Sequence, residues 1–208
     1  IELPRLDDLH THLRQEGMMR TVAPLSWSGG AGRVLVMPNT LPHIRTTREA
    51  LDYRKQLIAV EARLRYLMTL YLTPDLDPDE VRRAADSEFV VGVKSYPRGV
   101  TTHSDAGVES YEPYYPVFEA MQEAGLVLEI HGELPSDPVN DICCLNAEAR
   151  FLAMVERLHR DFPRLRIVLE HITTAEAVRF VRGAGENLAA TITAHHLELC
   201  VDDWAGQN

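Results

Sequence analysis

Short apolar runs alternate with segments of helical periodicity along almost the whole chain. The apolar runs have the length of β-strands and end in turn-forming Pro, Asn, Asp or Gly. The segments between them place apolar residues on one helical stripe, as with Ala50, Tyr53 and Leu57. We predict strands at 6–14, 33–37, 65–73, 89–95, 126–131, 166–171 and 188–194. We predict helices at 18–26, 47–61, 78–85, 111–124, 145–162 and 175–182.

This alternation predicts parallel strands joined by helical crossovers, which is an α/β fold. An open doubly wound sheet and an eight-stranded (β/α)8 TIM barrel both fit the order of elements. No glycine-rich phosphate loop follows the first strand, which disfavours a nucleotide-binding open sheet. We therefore expect a single TIM-barrel domain over residues 1–208, truncated before its last strand because we count only seven.

The first predicted strand carries polar side chains at alternate positions. Residues two apart on a strand share a face, so Asp8, His10, His12 and Arg14 are expected to project together. Burying this polar face against an apolar core would cost free energy, so the face is better explained if it lines a functional site. Two imidazoles can bind one metal ion, and Arg14 could hold an anionic group. An ordinary strand with solvent-facing histidines is the alternative, because His-x-His is a short motif.

Further polar residues lie at or near the carboxyl ends of other predicted strands. Barrel active sites collect residues at these ends. The convergence expected there favours a metal site over isolated structural histidines. The residues concerned are Asn39 after the second strand, Lys94 on the fourth, His131 on the fifth and His171 on the sixth.

Lys94 is unusual because a buried ammonium group on a strand is costly. It could extend its amine to solvent or pair with an acid. Alternatively, its neutral amine has reacted with carbon dioxide to form a carbamate, an anionic ligand that can bridge two metal ions. Four neutral histidines supply no negative charge, so a bridging anion would help to hold two ions. Two ions sharing an oxygen could produce hydroxide at neutral pH and polarise a carbonyl.

Six stretches of the chain, in order from about residue 6 to the end, resemble the single-function dihydroorotases of the amidohydrolase superfamily. The resemblance implies a metal-dependent hydrolase barrel and the reversible cyclisation of N-carbamoyl-L-aspartate to L-dihydroorotate in pyrimidine synthesis. The stretches are Asp7-Asp8-Leu9-His10-Thr11-His12-Leu13-Arg14, Val36-Met37-Pro38-Asn39, Val93-Lys94-Ser95-Tyr96-Pro97, Ile130-His131-Gly132-Glu133, Leu169-Glu170-His171-Ile172-Thr173-Thr174 and Ala190-Thr191-Ile192-Thr193.

The same resemblance implies a role for each matching residue. His10 and His12 would bind one zinc ion, and His131 and His171 the other. Carboxylated Lys94 and a hydroxide would bridge the two Zn²⁺ ions. The substrate would be held by Arg14 and Asn39 at its carboxylate and covered by a mobile loop containing Thr101 and Thr102.

The chain departs from the family pattern near its end. The family has an aspartate after the eighth strand, which binds metal and shuttles a proton, and a downstream histidine that helps to bind substrate. Neither has a counterpart before Asn208. We therefore assign no catalytic general base within this chain, expect that aspartate beyond Asn208, and expect little activity from these 208 residues alone.

Composition limits the possible partners and the cellular location of the protein. A formal net charge of -10 argues against a nucleic-acid surface, which needs clustered Lys and Arg. No apolar run approaches the roughly 18 residues of a membrane span. Three cysteines, two of them adjacent, do not make a disulfide framework, so a cytoplasmic setting is expected. The expected partner is a small-molecule substrate, with a homodimer among the open oligomeric states.

Two other functions stay open. One is a sister cyclic-amide hydrolase acting on a hydantoin-like ring, although Arg14 and Asn39 favour a carboxylated substrate. The other is a non-catalytic homologue. Such a protein would have no use for five polar groups that are costly to bury in one site, namely His10, His12, Lys94, His131 and His171. His195 and His196 end the seventh predicted strand near the expected site, where structural or supporting roles are commoner than metal binding.

Overall fold

The computed structural model describes residues 3–205, and its strands form one parallel sheet in sequential order. Each strand pairs with the next one along the chain, and helices connect them. This is the winding of a (β/α)8 barrel, so the prediction of an incomplete TIM barrel is confirmed. The strands are β1 (Leu6–Thr11), β2 (Ala31–Val36), β3 (Arg65–Tyr71), β4 (Val90–Ser95), β5 (Val127–His131), β6 (Arg166–Glu170) and β7 (Leu188–Ala190).

The helices cover one face of this sheet, and their ends follow local sequence signals. Thr46 and Glu49 form a reciprocal capping box, and Asp77 caps the next helix just before Pro78. Gly125 ends a later helix in the left-handed conformation. The helices are α1 (Glu16–Ser28), α2 (Thr47–Val60), α3 (Pro78–Ala85), α4 (Tyr115–Ala124), α5 (Ala147–Asp161), α6 (Ala175–Gly183) and α7 (Val201–Ala205). Within residues 3–205, none of these helices has the length and apolar character needed to span a membrane.

Alternation along the strands separates an apolar face from a polar one. Leu128 and Ile130 of β5 are fully buried in a core that also contains Phe118 of α4. Glu129, between them, points to the opposite face, as the period of two requires. It pairs in register with Lys94 of β4, which is also fully buried. The inner face of the sheet therefore carries ionisable groups instead of hydrocarbon.

β1 and β7 are shorter than predicted by three residues or more, and one helix is unexpected. β1 ends at Thr11. It could not have reached the predicted end at Arg14, whose left-handed φ of 58° is incompatible with an extended strand. β7 has three residues instead of seven. Just beyond it, Thr191 still donates its backbone N–H to the Leu169 carbonyl, and its hydroxyl donates to Glu170. The short helix α7 lies where no element was predicted.

Candidate metal centre

Four histidines from three separate strands converge at the carboxyl ends of the sheet. His10 lies on β1 and His12 just after it, His131 ends β5, and His171 follows β6. Ring centroids are 5.2 Å apart for His10 and His12, 5.2 Å for His10 and His171, and 4.6 Å for His131 and His171. All four line one cavity of about 490 Å³. The predicted convergence of the four histidines is therefore present in the structure.

His10 and His12 direct the same ring nitrogen toward one point. Their Nε2 atoms are 3.3 Å apart. Two nitrogen ligands of one tetrahedral ion lie about 3.3 Å apart when each bond is roughly 2.0–2.1 Å. Burial, followed by the charges of His10 and Arg14, lowers the pKa of His12 to about 3. His12 is therefore neutral at pH 7, as a metal ligand must be.

The other nitrogen of each of these rings faces an oxygen. His12 Nδ1 lies 2.8 Å from Asn39 Oδ1, and His10 Nδ1 lies 3.1 Å from Glu170 Oε2. The His10 contact is close enough for an ion pair but is not aligned as a hydrogen bond. Oxygen partners at Nδ1 are the usual means by which proteins fix the tautomer and orientation of metal-binding histidines.

His131 and His171 form the second pair. His131 Nε2 lies 2.9 Å from Glu133 Oε1, which leaves Nδ1 as its uncommitted nitrogen. His171 has a left-handed φ of 43°, and its backbone N–H donates to Thr191 Oγ1 at 2.7 Å. Burial, followed by the charges of Lys94 and His131, lowers the pKa of His171 to about 2. This imidazole is therefore also neutral at pH 7.

Lys94 lies on the inner face, fully buried, with Nζ 5.1 Å from the centre of the Tyr96 ring. Its Nζ has no hydrogen-bond partner within residues 3–205. Burial lowers the pKa of Lys94 to about 8, although the charges of Glu170 and Glu129 oppose this shift. Its amine is therefore neutral far more often at pH 7 than a surface lysine.

Two buried carboxyl groups near Lys94 were missed by the prediction of site residues. Glu129 and Glu170 are 1% and 2% exposed. Burial and then the charge of Glu170 raise the pKa of Glu129 well above its usual range. Burial would also raise the pKa of Glu170, but its contacts with His10 and Lys94 lower it. The available signal was an acidic residue inside an apolar strand, where an unpaired charge is costly.

The donor set fits a metal centre. Buried polar atoms without a hydrogen-bond partner gather here in the described part of the chain, among them His10 Nδ1, Lys94 Nζ, Tyr96 Oη and Glu129 Oε2. Native proteins rarely leave such atoms unpaired unless a further group occupies the site. Among residues 3–205, no three His, Cys, Asp or Glu side chains are grouped so that they could hold one metal ion together. The arrangement is instead two histidine pairs, with Lys94 near enough to shift the pKa of His12 and of His171.

The four residues predicted to bind substrate lie around this centre. The Arg14 carbonyl accepts a hydrogen bond from the Tyr53 hydroxyl, which anchors the left-handed backbone, and the Arg14 charge acts on His12. Asn39 is 4% exposed and donates through Nδ2 to the Thr102 carbonyl at 3.0 Å. Thr101 lines the cavity. The loop of residues 97–107 therefore lies against the site.

Other side chains are placed differently from the expectation. Asp8 does not share the cavity of the histidines; it is exposed and its Oδ1 accepts from the His10 backbone N–H. The pairing of β1 with β2 is irregular between Asp8 and Thr11, so the regular alternation that would place Asp8 beside His10 and His12 is interrupted. His195 and His196 line the cavity wall, within a short 3-10 helix.

Comparison with known proteins places the chain among amidohydrolases. The amidohydrolase family model matches residues 43–196. A dihydroorotase of Mycosarcoma maydis is 51% identical over 207 residues, covering 100% of this chain and 52% of that protein. The solved structure of a Saccharomyces cerevisiae dihydroorotase, in complex with 5-fluoroorotic acid, superposes with a TM-score of 0.94 at 42% identity, covering 100% of this chain and 60% of the other.

A more distant likeness concerns the fold alone. The L-hydantoinase (dihydropyrimidinase) of Arthrobacter aurescens superposes with a TM-score of 0.81 at 18% identity, covering 96% of this chain and 49% of that one. The chain spans between about half and three fifths of the length of the curated relatives it matches. The family model, the barrel winding and the matching residues agree, and the chain belongs to the amidohydrolase family.

Proposed function

We propose that the protein containing this chain is a zinc-dependent dihydroorotase, which interconverts N-carbamoyl-L-aspartate and L-dihydroorotate. The observation that carries this proposal is the meeting of four histidines beside buried Lys94, in a chain 42–51% identical to dihydroorotases. The convergence supports a metal centre, and the identity supports the substrate.

The proposed metal ligands are two histidine pairs and a modified lysine. His10 and His12 would hold one zinc ion, and His131 and His171 the other. The Lys94 amine would attack carbon dioxide, forming an N–C bond and releasing one proton to solvent, and the resulting carbamate would join both ions. Its pKa of about 8 supports this step, because only the neutral amine is a nucleophile. When bound, such a pair of ions acidifies water and polarises a carbonyl group.

The residues of the chain supply binding and orientation. N-carbamoyl-L-aspartate has two carboxylates and L-dihydroorotate keeps one of them, which Arg14 would hold with its guanidinium group. Asn39 has a second N–H on Nδ2 that the Thr102 carbonyl does not use, and we propose that this N–H donates to the same carboxylate. Thr101 and Thr102 belong to the 97–107 loop, which would exclude water and offer hydroxyl donors.

The domain and the general base complete the proposal. We propose that residues 1–208 belong to a single barrel domain, although residues 1–2 and 206–208 lie outside the described residues. The aspartate that would transfer the proton stays a prediction for sequence beyond Asn208. The proposed activity is therefore that of the protein that contains this chain.

Zinc content and a substrate panel test this proposal. Purified without chelator, the protein should carry two equivalents of zinc and open the ring of L-dihydroorotate faster than hydantoin or dihydrouracil, which lack the carboxylate. Lys94→Met should lose zinc, whereas His159→Ala, on the outer helix α5 with its Nε2 at Ala184 O, should keep it. Faster hydantoin opening would identify a sister cyclic-amide hydrolase. Absence of zinc from folded protein would favour the non-catalytic homologue.

A further inference from the structure

Asn39 makes two hydrogen bonds that connect the metal centre to the 97–107 loop. The side chain follows β2 and is 4% exposed. Its Oδ1 lies 2.8 Å from His12 Nδ1, and its Nδ2 donates to the Thr102 backbone carbonyl at 3.0 Å. One amide group therefore contacts a proposed metal ligand on one side and the loop on the other.

The Thr102 carbonyl determines the orientation of this amide. A backbone carbonyl can only accept a hydrogen bond, so the Asn39 amide nitrogen must face it. A flipped amide would place two acceptor oxygens at the 3.0 Å separation now bridged by a hydrogen bond. The Asn39 oxygen must then face His12, and an oxygen without hydrogens can only accept.

The orientation of Asn39 in turn determines the tautomer of His12. Because Asn39 Oδ1 accepts, His12 Nδ1 must carry the hydrogen. A neutral imidazole has only one N–H, so His12 Nε2 carries the free lone pair. That nitrogen is the one 3.3 Å from His10 Nε2. The loop carbonyl thus decides, through one side chain, which nitrogen of His12 can bind an ion.

We infer that Asn39 is a positioning residue that couples zinc binding at His12 to the seating of the 97–107 loop through Thr102. This inference rests on the metal centre proposed above and adds to the substrate-binding role of Asn39. Linkage makes the coupling reciprocal. A seated loop favours the tautomer that binds zinc, and bound zinc favours the amide orientation that seats the loop.

A second contact lets the loop be loosened without changing a proposed metal ligand. The Tyr71 hydroxyl donates to the His103 carbonyl at 3.2 Å, one residue from Thr102. On the same strand, the Tyr66 hydroxyl donates to the Glu61 carbonyl at 2.7 Å, far along the chain from the loop. Tyr71→Phe and Tyr66→Phe therefore remove the same chemical group from one strand, but only the first removes a contact of the loop.

The test combines zinc affinity with direct observation of the tautomer. Zinc affinity is measured by competition with a chromophoric chelator, and the His12 tautomer by ¹⁵N–¹H NMR of the zinc-free protein, assigned with His12→Gln. Wild type should show hydrogen at Nδ1. Asn39→Ala should shift His12 toward the Nε2–H tautomer and weaken zinc binding roughly 10–100-fold, the usual effect of losing such a partner. Tyr71→Phe should weaken zinc binding several-fold, and Tyr66→Phe should leave it unchanged.

The remaining outcomes separate this inference from the proposed function. Zinc binding by wild type, together with equal affinities for Tyr71→Phe and Tyr66→Phe, would overturn the coupling while leaving the metal centre intact. An unchanged His12 tautomer in folded Asn39→Ala would also overturn it. Failure of wild type to bind zinc would overturn the metal centre and the coupling together. If Asn39→Ala does not fold, the Tyr71 and Tyr66 pair decides the question.

Discussion

His10 Nε2 lies 3.3 Å from His12 Nε2, and the two side chains come from one segment at the end of β1. This separation is that of two ligands on one ion. We therefore expect His10→Ala and His12→Ala each to lose one of two zinc equivalents, measured by elemental analysis after dialysis. His159→Ala, which removes a half-buried histidine from α5, is the control. Full zinc content in either variant would contradict the shared site.

Glu170 supports His10 through its contact with Nδ1, 3.1 Å away. Its carboxylate also bonds to the Thr191 hydroxyl, which in turn accepts from the His171 backbone. Glu170→Gln removes the charge that favours hydrogen at His10 Nδ1, so zinc affinity should fall roughly 10–100-fold. Competition with a chelator measures the change.

Glu80→Gln is the matched control for Glu170→Gln. Glu80 is a largely buried glutamate that accepts from the Thr47 backbone N–H, far along the chain from the histidines. Equal losses of zinc affinity in the two variants would mean that Glu170 acts on the fold and has no specific effect on His10.

Gly92 allows β4 and β5 to approach beneath the site. A Cβ added there would lie 2.7 Å from the Val127 carbonyl oxygen and 2.8 Å from Glu129 Oε1. Gly92→Ala should therefore lower the free energy of unfolding by about 1–3 kcal/mol, as overpacking usually does. Denaturant titration of the zinc-free protein measures this loss.

Gly183→Ala is the control for Gly92→Ala, because a Cβ at Gly183 meets nothing within 4 Å. It ends α6, where alanine costs little. A stability of Gly92→Ala equal to that of Gly183→Ala would show that the strands can separate without cost.

Glu61 gives the stability a defined pH dependence. Its side chain is 5% exposed, and the side-chain hydrogen bond from Arg63, 2.7 Å from Nε to Oε1, lowers the pKa of Glu61 to about 2. Because the ordinary pKa is 4.5, this stabilisation is fully present above about 4.5 and is lost as the pH falls through 2. Glu61→Gln should therefore destabilise the protein at pH 7 and much less at pH 3.

Urea denaturation at both pH values tests this dependence. Glu119→Gln, an exposed position on α4, removes one negative charge without breaking such a contact and should cost little at either pH. If Glu61→Gln lowered the free energy of unfolding equally at pH 7 and pH 3, the carboxylate charge of Glu61 would contribute nothing to stability.

Much of the fold could be predicted because its signals are local. The capping box of Thr46 and Glu49, the Asp77 cap before Pro78 and Gly125 after α4 each set a helix end through neighbouring residues. The short apolar runs between them have room only for strands, and their order implies parallel pairing. Six of the seven strands lie close to their predicted positions, whereas β7 ends after Ala190, four residues before its predicted end.

The sequence by itself determined the alternation of strands and helices and the set of histidines, lysine and arginine available for chemistry, because spacing and residue type carry that information. Only the tertiary structure decided which nitrogens face one another, that Glu170 and Asn39 hold His10 and His12, and that Arg14 turns out of the strand. Those relationships join residues from different strands. They depend on the curvature and register of the sheet, which no local pattern encodes.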